Sequence, residues 1–456
     1  PICEMDPEVY FARRAELDPT CGLDVSANFN KVAQYQNRRY FGHGSATHVT
    51  GYIGRIPAND VPVWQTRGYQ ESDLIGRAAI EAAYEETLAG KPERFLRMIE
   101  SGGAVLRELG GAIGAEPTPI RLTIDRDLQF AVAQAMSDAF NYSAANWASV
   151  AGGAGAIVID INSGAILALA SYPTFDPSLF NPSTSYQNPL DQLQTIGNDP
   201  RRPLSNKVVQ EQYTPGSIYK VLTTIAAAAE NVYSPSEIFN CDLEWTAGPE
   251  YGDTVRVRQD WRVSDGMDAA GPLFMAQALM TSCNPFFWEM GGLLYRRDPN
   301  LMAQYSERFG LGARSGVFGL GPEAMGSVAR PASATEAINN AIGQGSVQVT
   351  ALQMAMAVAT IANGGQVWQP YVVAQVGGID EGTEAQTINA PVLLRTVNLS
   401  DDVWQVVREG MCGVPIDGTF GTATSSFGDA HFTSCGKTGT AEAGARGSGV
   451  PPHAWY

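Results

Sequence analysis

Ser217 and Lys220, three residues apart in the run Tyr213-Thr-Pro-Gly-Ser-Ile-Tyr-Lys220, are the residues of this chain best suited to nucleophilic chemistry. A serine hydroxyl is a poor nucleophile at neutral pH and needs an adjacent base, a task an unprotonated lysine can perform. The run continues into Val-Leu-Thr-Thr-Ile-Ala-Ala-Ala-Ala-Glu230, an apolar series of helix formers, whereas Pro215-Gly216 belongs to a turn. A helix is therefore expected from Ser217 or just before it, with Ser217 and Lys220 on one face and close enough to exchange a proton. Its N-terminus would present free backbone N–H groups and a positive dipole end to an oxyanion.

Taken alone, Ser-x-x-Lys is weak, since a chain of this size contains on the order of one by chance. A second copy is indeed present, Ser434-Cys-Gly-Lys437. Ser434 to Ala441 reads as a strand, where positions i and i+3 point to opposite faces, so this copy cannot pair its serine with its lysine. Lys437 belongs instead to Lys437-Thr438-Gly439-Thr440. Ser282-x-Asn284 is equally weak by itself, because Ser26-Ala-Asn28 also matches it. The ordered set Ser217-x-x-Lys220, Ser282-x-Asn284, Lys437-Thr438-Gly439 is far more specific than any of its parts.

The elements that must position these residues can be read coarsely. Residues 1–70 are mixed, with a strand-like piece from His48 to Ile56. Ser72 is suited to cap a helix to about Leu88, and a second helical stretch runs from Glu93 to Leu109. Ala115-Glu-Pro-Thr-Pro119 reads as a linker. After the strand-like Arg121 to Ile124, Asp125 or Asp127 can cap a helix to about Phe140. Two apolar runs, Ala156 to Ile161 and Ala165 to Ser171, flank Asn162-Ser163-Gly164 and predict a hairpin in a sheet covered on both faces. Residues 172–212 read as an extended loop and 235–266 as irregular. Helices are expected over Gly271–Thr281, Thr350–Asn363 and Ser400–Met411. This divides the chain into residues 1–117 and 118–456.

Composition bounds the function. The 456 residues are 44% hydrophobic and 17% charged, a globular balance with room for more than one domain. A net charge of −17 argues against a nucleic-acid partner, which requires a basic stripe. Only five of the 30 basic residues are lysines, at 31, 91, 207, 220 and 437. Where arginine is the default cation, a retained lysine can do what arginine cannot, namely lose its proton. The six cysteines (3, 21, 241, 283, 412 and 435) form no Cys-x-x-Cys pair, and the four histidines have no ligand-like spacing. No metal or other cofactor is therefore expected. Cys3 and Cys21 could pair in an oxidising compartment. Cys283 reads as a small buried filler, Cys435 as strand packing, and Trp245, Trp261 and Trp288 as core rather than sugar platforms. Gly152-Gly153-Ala-Gly155 and Gly343-Gln-Gly345 lack the Lys-Ser/Thr ending of a phosphate loop. No run of 18 apolar residues is present.

With the ordered set in place, the chain resembles a class B penicillin-binding protein, a monofunctional transpeptidase of peptidoglycan. Asn206-Lys207 ahead of Tyr213–Ser217 is similar to that family's nucleophile region, and Ala341-Ile-Gly-Gln-Gly345 with Thr350-Ala-Leu-Gln353 to its Gly-Gln-Gly segment. Leu122-Thr-Ile-Asp125 and the Ile157–Leu169 hairpin resemble the start of its transpeptidase domain. Gly51-Tyr-Ile-Gly54, Gly76-Arg-Ala-Ala-Ile-Glu81 and Tyr84-Glu85 resemble the non-catalytic pedestal of its elongation-type members, with Ala79 where glycine is usual.

The resemblance implies a multidomain α+β or α/β protein. A mainly antiparallel sheet sandwiched by helices, the serine β-lactamase-like fold, would stand on an incomplete dimerisation-type pedestal. The family also carries a membrane anchor before this stretch, and further strands with a closing helix after it. Ser217 would be acylated by a D-Ala-D-Ala stem peptide or a β-lactam, with Lys220 as base and Ser282 and Asn284 handling the proton and the substrate amide. Lys437 would keep Lys220 neutral and attract the substrate carboxylate, to which Thr438 and Thr440 add hydroxyls, and Gly439 would leave room for substrate along the strand. The backbone of Ser217 and Thr440 would form the oxyanion hole. The implied setting is extracytoplasmic, on a membrane anchor, with glycosyltransferase and morphogenesis proteins as partners.

The rival readings keep much of the same machinery. A D,D-carboxypeptidase or endopeptidase would use water as acceptor. A serine β-lactamase would need a carboxylate for its deacylating water, which Glu336-Ala-Ile-Asn339 superficially supplies. A β-lactam sensor or cell-wall scaffold would keep the motifs without turnover.

Overall fold

The computed structural model describes residues 25–27, 38, 40, 42, 44–90, 94–99, 105–112, 114–182, 188–328, 330–379, 384–442 and 451–456. Cys3 and Cys21 lie outside them.

The N-terminal part departs most from the sequence reading. Ser72 caps no helix: Leu74–Gly76 is a strand paired antiparallel with Ile53–Arg55, and two short helices follow, Ala79–Ala83 and Glu85–Ala89. Buried carboxylates override the helical period here. Glu85 accepts the Gly76 N–H at 2.6 Å and the Tyr69 hydroxyl at 2.9 Å, which fixes the strand end against the helix. Ala79 takes φ 45° at the first position of its helix, the left-handed region that glycine enters freely and alanine enters at a cost of about 1–2 kcal/mol. The usual family glycine thus has a conformational reason.

The expected helix over 93–109 is instead two antiparallel strands, Arg94–Ile99 and Val105–Ala112. Gly102-Gly103 between them is a turn signal that outweighs the weak helical period.

From residue 118 the reading and the structure agree more closely. Asp125 caps the helix Arg126–Tyr142 by accepting from the N–H groups of Asp127 and Leu128. The hairpin pairs Ala154–Ile159 with Ile166–Tyr172. Gln129 locks the helix onto it, donating to the Leu169 carbonyl and accepting from the Leu169 N–H, both at 2.8 Å. The helix Ala351–Ala362 contacts the other strand. Ile120–Leu122 pairs with Val373–Gly377 in the same antiparallel sense, and Ala165 bridges to Tyr371. Residues 172–212 are less extended than expected, with a 3-10 turn at Pro177–Phe180 and a helix at Pro189–Asn198.

The helix Lys220–Ala229 runs through the centre of the core, with Lys220 through Ala228 all buried. It packs on Met275–Met280, Asn284–Arg297, Leu301–Arg308 and Asp401–Gly413. Its residues are apolar all round, as befits a helix with no solvent face. The two buried threonines are satisfied locally, Thr223 donating to the Ala341 carbonyl and Thr224 to that of Lys220. Burying side chains such as Leu222 and Ile225 contributes on the order of 1.5–3 kcal/mol each, so the helix bearing Lys220 is rigidly seated.

Candidate active site

Ser217 lies in a 3-10 turn, Gly216–Tyr219, immediately before the helix that Lys220 opens. In such a turn, residues i and i+3 eclipse one another, so the expected shared face survives the change of helix type. Ser217 is half-buried, whereas Lys220 is fully enclosed.

Three glycines set the position of the turn. Gly216 has φ 57°, and a Cβ there would lie 2.7 Å from the Thr440 carbonyl oxygen. A Cβ on Gly343 would come within 2.1 Å of the Gly216 carbonyl oxygen, whose own N–H donates to the Gly343 carbonyl at 2.8 Å. A Cβ on Gly439 would meet Ile218 at 2.9 Å. The nucleophile turn is therefore clasped between the 343 loop and the strand Gly439–Ala441, main chain against main chain. The missing side chain of Gly439 also makes room for the turn that carries Ser217.

Lys220 Nζ lies 2.8 Å from the Ser282 carbonyl oxygen, 3.1 Å from Ser282 Oγ and 2.6 Å from Asn284 Oδ1. The first and third are obligate acceptors and take two N–H groups. A neutral amine then has its lone pair left for the Ser282 hydroxyl, the one partner able to donate. Burial pushes the Lys220 pKa well below the usual lysine range, and the neighbouring Lys437 and Arg262 charges lower it further against an opposing pull from Asp260. Both motifs expected from the sequence thus meet at one nitrogen. Ser217 Oγ is not among the hydrogen-bond partners of Lys220.

Lys437 is buried, and burial alone lowers its pKa to about 7. Its Nζ donates to the Thr438 carbonyl at 3.0 Å, and Thr438 shares a hydrogen bond with Thr422 at 2.6 Å between hydroxyl oxygens. Thr440 is exposed on the strand, which pairs antiparallel with His453–Trp455. The strand is shorter than expected, because residues 433–438 are irregular and Cys435 is not strand packing: it is disulfide-bonded to Cys412. Cys283 likewise is no simple filler, being joined to Cys241.

Four residues important to this geometry went unmarked by sequence motif. Asp260, Trp261 and Arg262 surround the Ser282 turn, and Cys241 reaches it covalently. Trp261, expected in the core, is only half-buried, and its indole N–H donates to the Ser282 carbonyl at 3.2 Å. An Asp-Trp-Arg run carries no motif, so only the distance in space brings it in.

Cys241 Sγ, Cys283 Sγ and an Asp260 carboxylate oxygen fall within 4.8 Å of one another, a potential metal-ligand grouping among the described residues. With the sulfurs bonded to each other neither offers a thiolate, and both Asp260 oxygens already accept hydrogen bonds. Glu336 is engaged by Ser346 and the Ala332 N–H, and Asn339 by Arg258, so the superficial Glu-x-x-Asn serves local structure.

Comparison with known proteins places these features. The family description "Penicillin binding protein transpeptidase domain" matches residues 154–455, and "Penicillin-binding Protein dimerisation domain" matches residues 28–118. Peptidoglycan D,D-transpeptidase MrdA of Acinetobacter baumannii is 29% identical over 426 residues, covering 89% of this chain and 57% of the relative. MrdA of Escherichia coli K12 is 27% identical, covering 89% and 61%. The chain thus spans about three fifths of the length of these curated relatives. PBP2 of Pseudomonas aeruginosa, solved with WCK 5153, superposes with a TM-score of 0.66 at 23% identity, over 92% of this chain and 82% of that one. A chain from a peptidoglycan synthase complex gives a TM-score of 0.68 at 27% identity, over 90% and 67%. Helicobacter pylori PBP2, solved in complex with MreC, gives 0.68 at 21% identity, over 89% and 69%.

Proposed function

Since the chain belongs to the penicillin-binding protein transpeptidase family, we propose that it is the catalytic part of a peptidoglycan D,D-transpeptidase that works through an acyl-enzyme on Ser217. The observation that carries this reading is the meeting of Ser282 and Asn284 on a buried Lys220 whose pKa is depressed, one turn from Ser217. An amine whose protonated form is disfavoured by burial is the base a serine needs.

Ser217 Oγ attacks the carbonyl carbon of the D-Ala-D-Ala bond, and its proton passes to the Lys220 amine. Ser282 Oγ, in contact with that amine, relays the proton to the departing D-alanine nitrogen as the C–N bond breaks. The ester on Ser217 is then attacked by an amine of a neighbouring stem peptide, which restores the hydroxyl. The backbone N–H groups of Ser217 and Thr440 stabilise the oxyanion; a pair of such donors is worth several kcal/mol of barrier. Asn284 orients the substrate amide. Lys437, as a cation, with Thr438 and Thr440, binds the terminal carboxylate. A β-lactam follows the first half of this path, and its ester persists.

Residues 118–456 form the transpeptidase unit in this reading and residues 1–117 its pedestal. The likeness to H. pylori PBP2 solved with MreC, and to a chain of a peptidoglycan synthase complex, supports morphogenesis and glycan-polymerising proteins as partners. The setting is the extracytoplasmic face of a membrane to which the full-length protein is anchored; among the described residues no helix is long and apolar enough to cross one.

Incubation with a fluorescent penicillin tests the assignment. A long-lived covalent label is expected on full-length protein and is lost in Ser217→Ala. Rapid release of the label would point to a β-lactamase, and absence of label on the folded full-length protein would refute the reading.

A further inference from the structure

The turn Thr281–Asn284 that presents Ser282 and Asn284 to Lys220 is strained. Ser282 takes φ 54°, a left-handed conformation that non-glycine residues hold only when their surroundings impose it, at about 1–3 kcal/mol. The surroundings are three consecutive residues. Arg262 donates to the Thr281 carbonyl at 2.9 Å and also to the Thr281 hydroxyl. Trp261 Nε1 donates to the Ser282 carbonyl at 3.2 Å. Asp260 Oδ2 accepts the Asn284 N–H at 2.9 Å, and its Oδ1 accepts from Arg262 at 2.9 Å. Position 283 is tied separately through its disulfide to Cys241. Each backbone position from 281 to 284 thus has its own restraint.

We propose that Asp260, Trp261 and Arg262 are positioning residues that hold Ser282 and Asn284 in register with Lys220, an inference that rests on the transpeptidase reading above. The Ser282 carbonyl is the hinge of the arrangement, because it accepts from Trp261 and from Lys220 together. Losing the indole donor frees that carbonyl to rotate toward the amine, and the direction left for the lone pair changes with it. Asp260 and Arg262 are buried, and the Arg262 guanidinium also covers the Trp261 ring at 4.6 Å, so the three side chains form one connected unit. The charged groups acting on Lys220 are Lys437, Asp260 and Arg262, two of which belong to this unit. The segment therefore sets both where the amine points and how readily it holds a proton.

The test is stopped-flow acylation by a fluorescent penicillin between pH 5.5 and 9.5, on full-length wild type, Trp261→Phe, Asp260→Asn and Arg262→Lys, with thermal unfolding recorded for each. Trp261→Phe keeps an aromatic ring at this position and removes the indole donor. It is expected to slow saturating acylation about 10-fold, the usual worth of one hydrogen bond, with little change in the concentration needed for saturation. Asp260→Asn removes the charge that favours protonated Lys220 and is expected to move the rising limb of the pH profile to lower pH. Arg262→Lys, which keeps charge but cannot bridge Asp260 and Thr281 together, is expected to slow acylation without that displacement. Folded Trp261→Phe and Asp260→Asn proteins with wild-type rates and pH midpoints would overturn the inference. So would rate losses that merely track loss of thermal stability with unmoved midpoints. Failure of wild type itself to label would instead refute the transpeptidase reading.

Discussion

Removing the Cys241–Cys283 bridge, by the double substitution to alanine, should loosen the segment between them without unfolding the rest. The bridge joins residues 42 apart in sequence. Closing a loop of that length removes chain entropy worth about 4 kcal/mol from the opened state. The three hydrogen-bonded ties from 260–262 persist, and the linked half-cystines are both nearly inaccessible, so opening is confined to this segment. Four kcal/mol corresponds to roughly a thousand-fold increase in the opened population. Hydrogen exchange followed by mass spectrometry reads it directly, in peptides spanning 242–282. Protection there should fall by up to three orders of magnitude, while the helix Arg126–Tyr142 stays unchanged. The double substitution to valine, which fills the space left by the sulfurs, should behave alike, which separates the lost cross-link from the small cavities left by alanine. Protection within about 1 kcal/mol of wild type in both variants would refute the argument that the bridge restrains the Ser282 turn.

Three further outcomes follow from the proposed function and the site. Acylation should rise with pH as Lys220 loses its proton, and fall again through about pH 7 as the buried Lys437 loses the charge that binds the carboxylate. Lys437→Met should abolish the falling limb in the same assay. The sign for stability is opposite to that of a salt-bridged lysine. The folded-state pKa of Lys437 lies below the unfolded value of 10.5, so between about pH 7 and 10.5 the unfolded chain binds more protons, and the contribution of this group to stability rises with pH there. Gly439→Ala places a Cβ 2.9 Å from Ile218 and 3.2 Å from its backbone nitrogen. It should cost about 1–3 kcal/mol by overpacking, visible in urea midpoints, and should slow acylation by displacing the neighbouring Ser217.

The catalytic half was legible in the sequence to the extent that its chemistry is local. Ser217 lies in a short turn that leads directly into Lys220, and Lys437 is next to Thr438 in the chain, so spacing alone brings them to notice. The Asp125 cap and the Asn162-Ser163-Gly164 hairpin are likewise decided by neighbours in the chain. What spacing could not reach are ties across long separations. Trp261 to Ser282, Cys241 to Cys283 and Gly343 to Gly216 are each meaningful only once the chain has folded. In the N-terminal part the failure was of another kind. The 72–88 and 93–109 stretches have helical spacing of apolar residues, but buried Glu85 and the Gly102-Gly103 pair dictate strands at Leu74–Gly76 and on either side of the glycines. Hydrophobic period carries little weight where a buried polar tie or a glycine turn decides the backbone.

The three glycines around the nucleophile turn bear on how this protein can vary. Because Gly216 and Gly343 bring main chain against main chain and Gly439 admits Ile218, the location of Ser217 is set by close approach at positions that tolerate no added carbon. Under the proposed function, substitutions at exposed positions that rim this turn, such as Thr440, can therefore alter which acyl donors are accepted while the reacting oxygen stays in place. Selection by an inhibitor would find its freedom at that rim, and almost none at the three positions where a single added carbon would push the oxygen away.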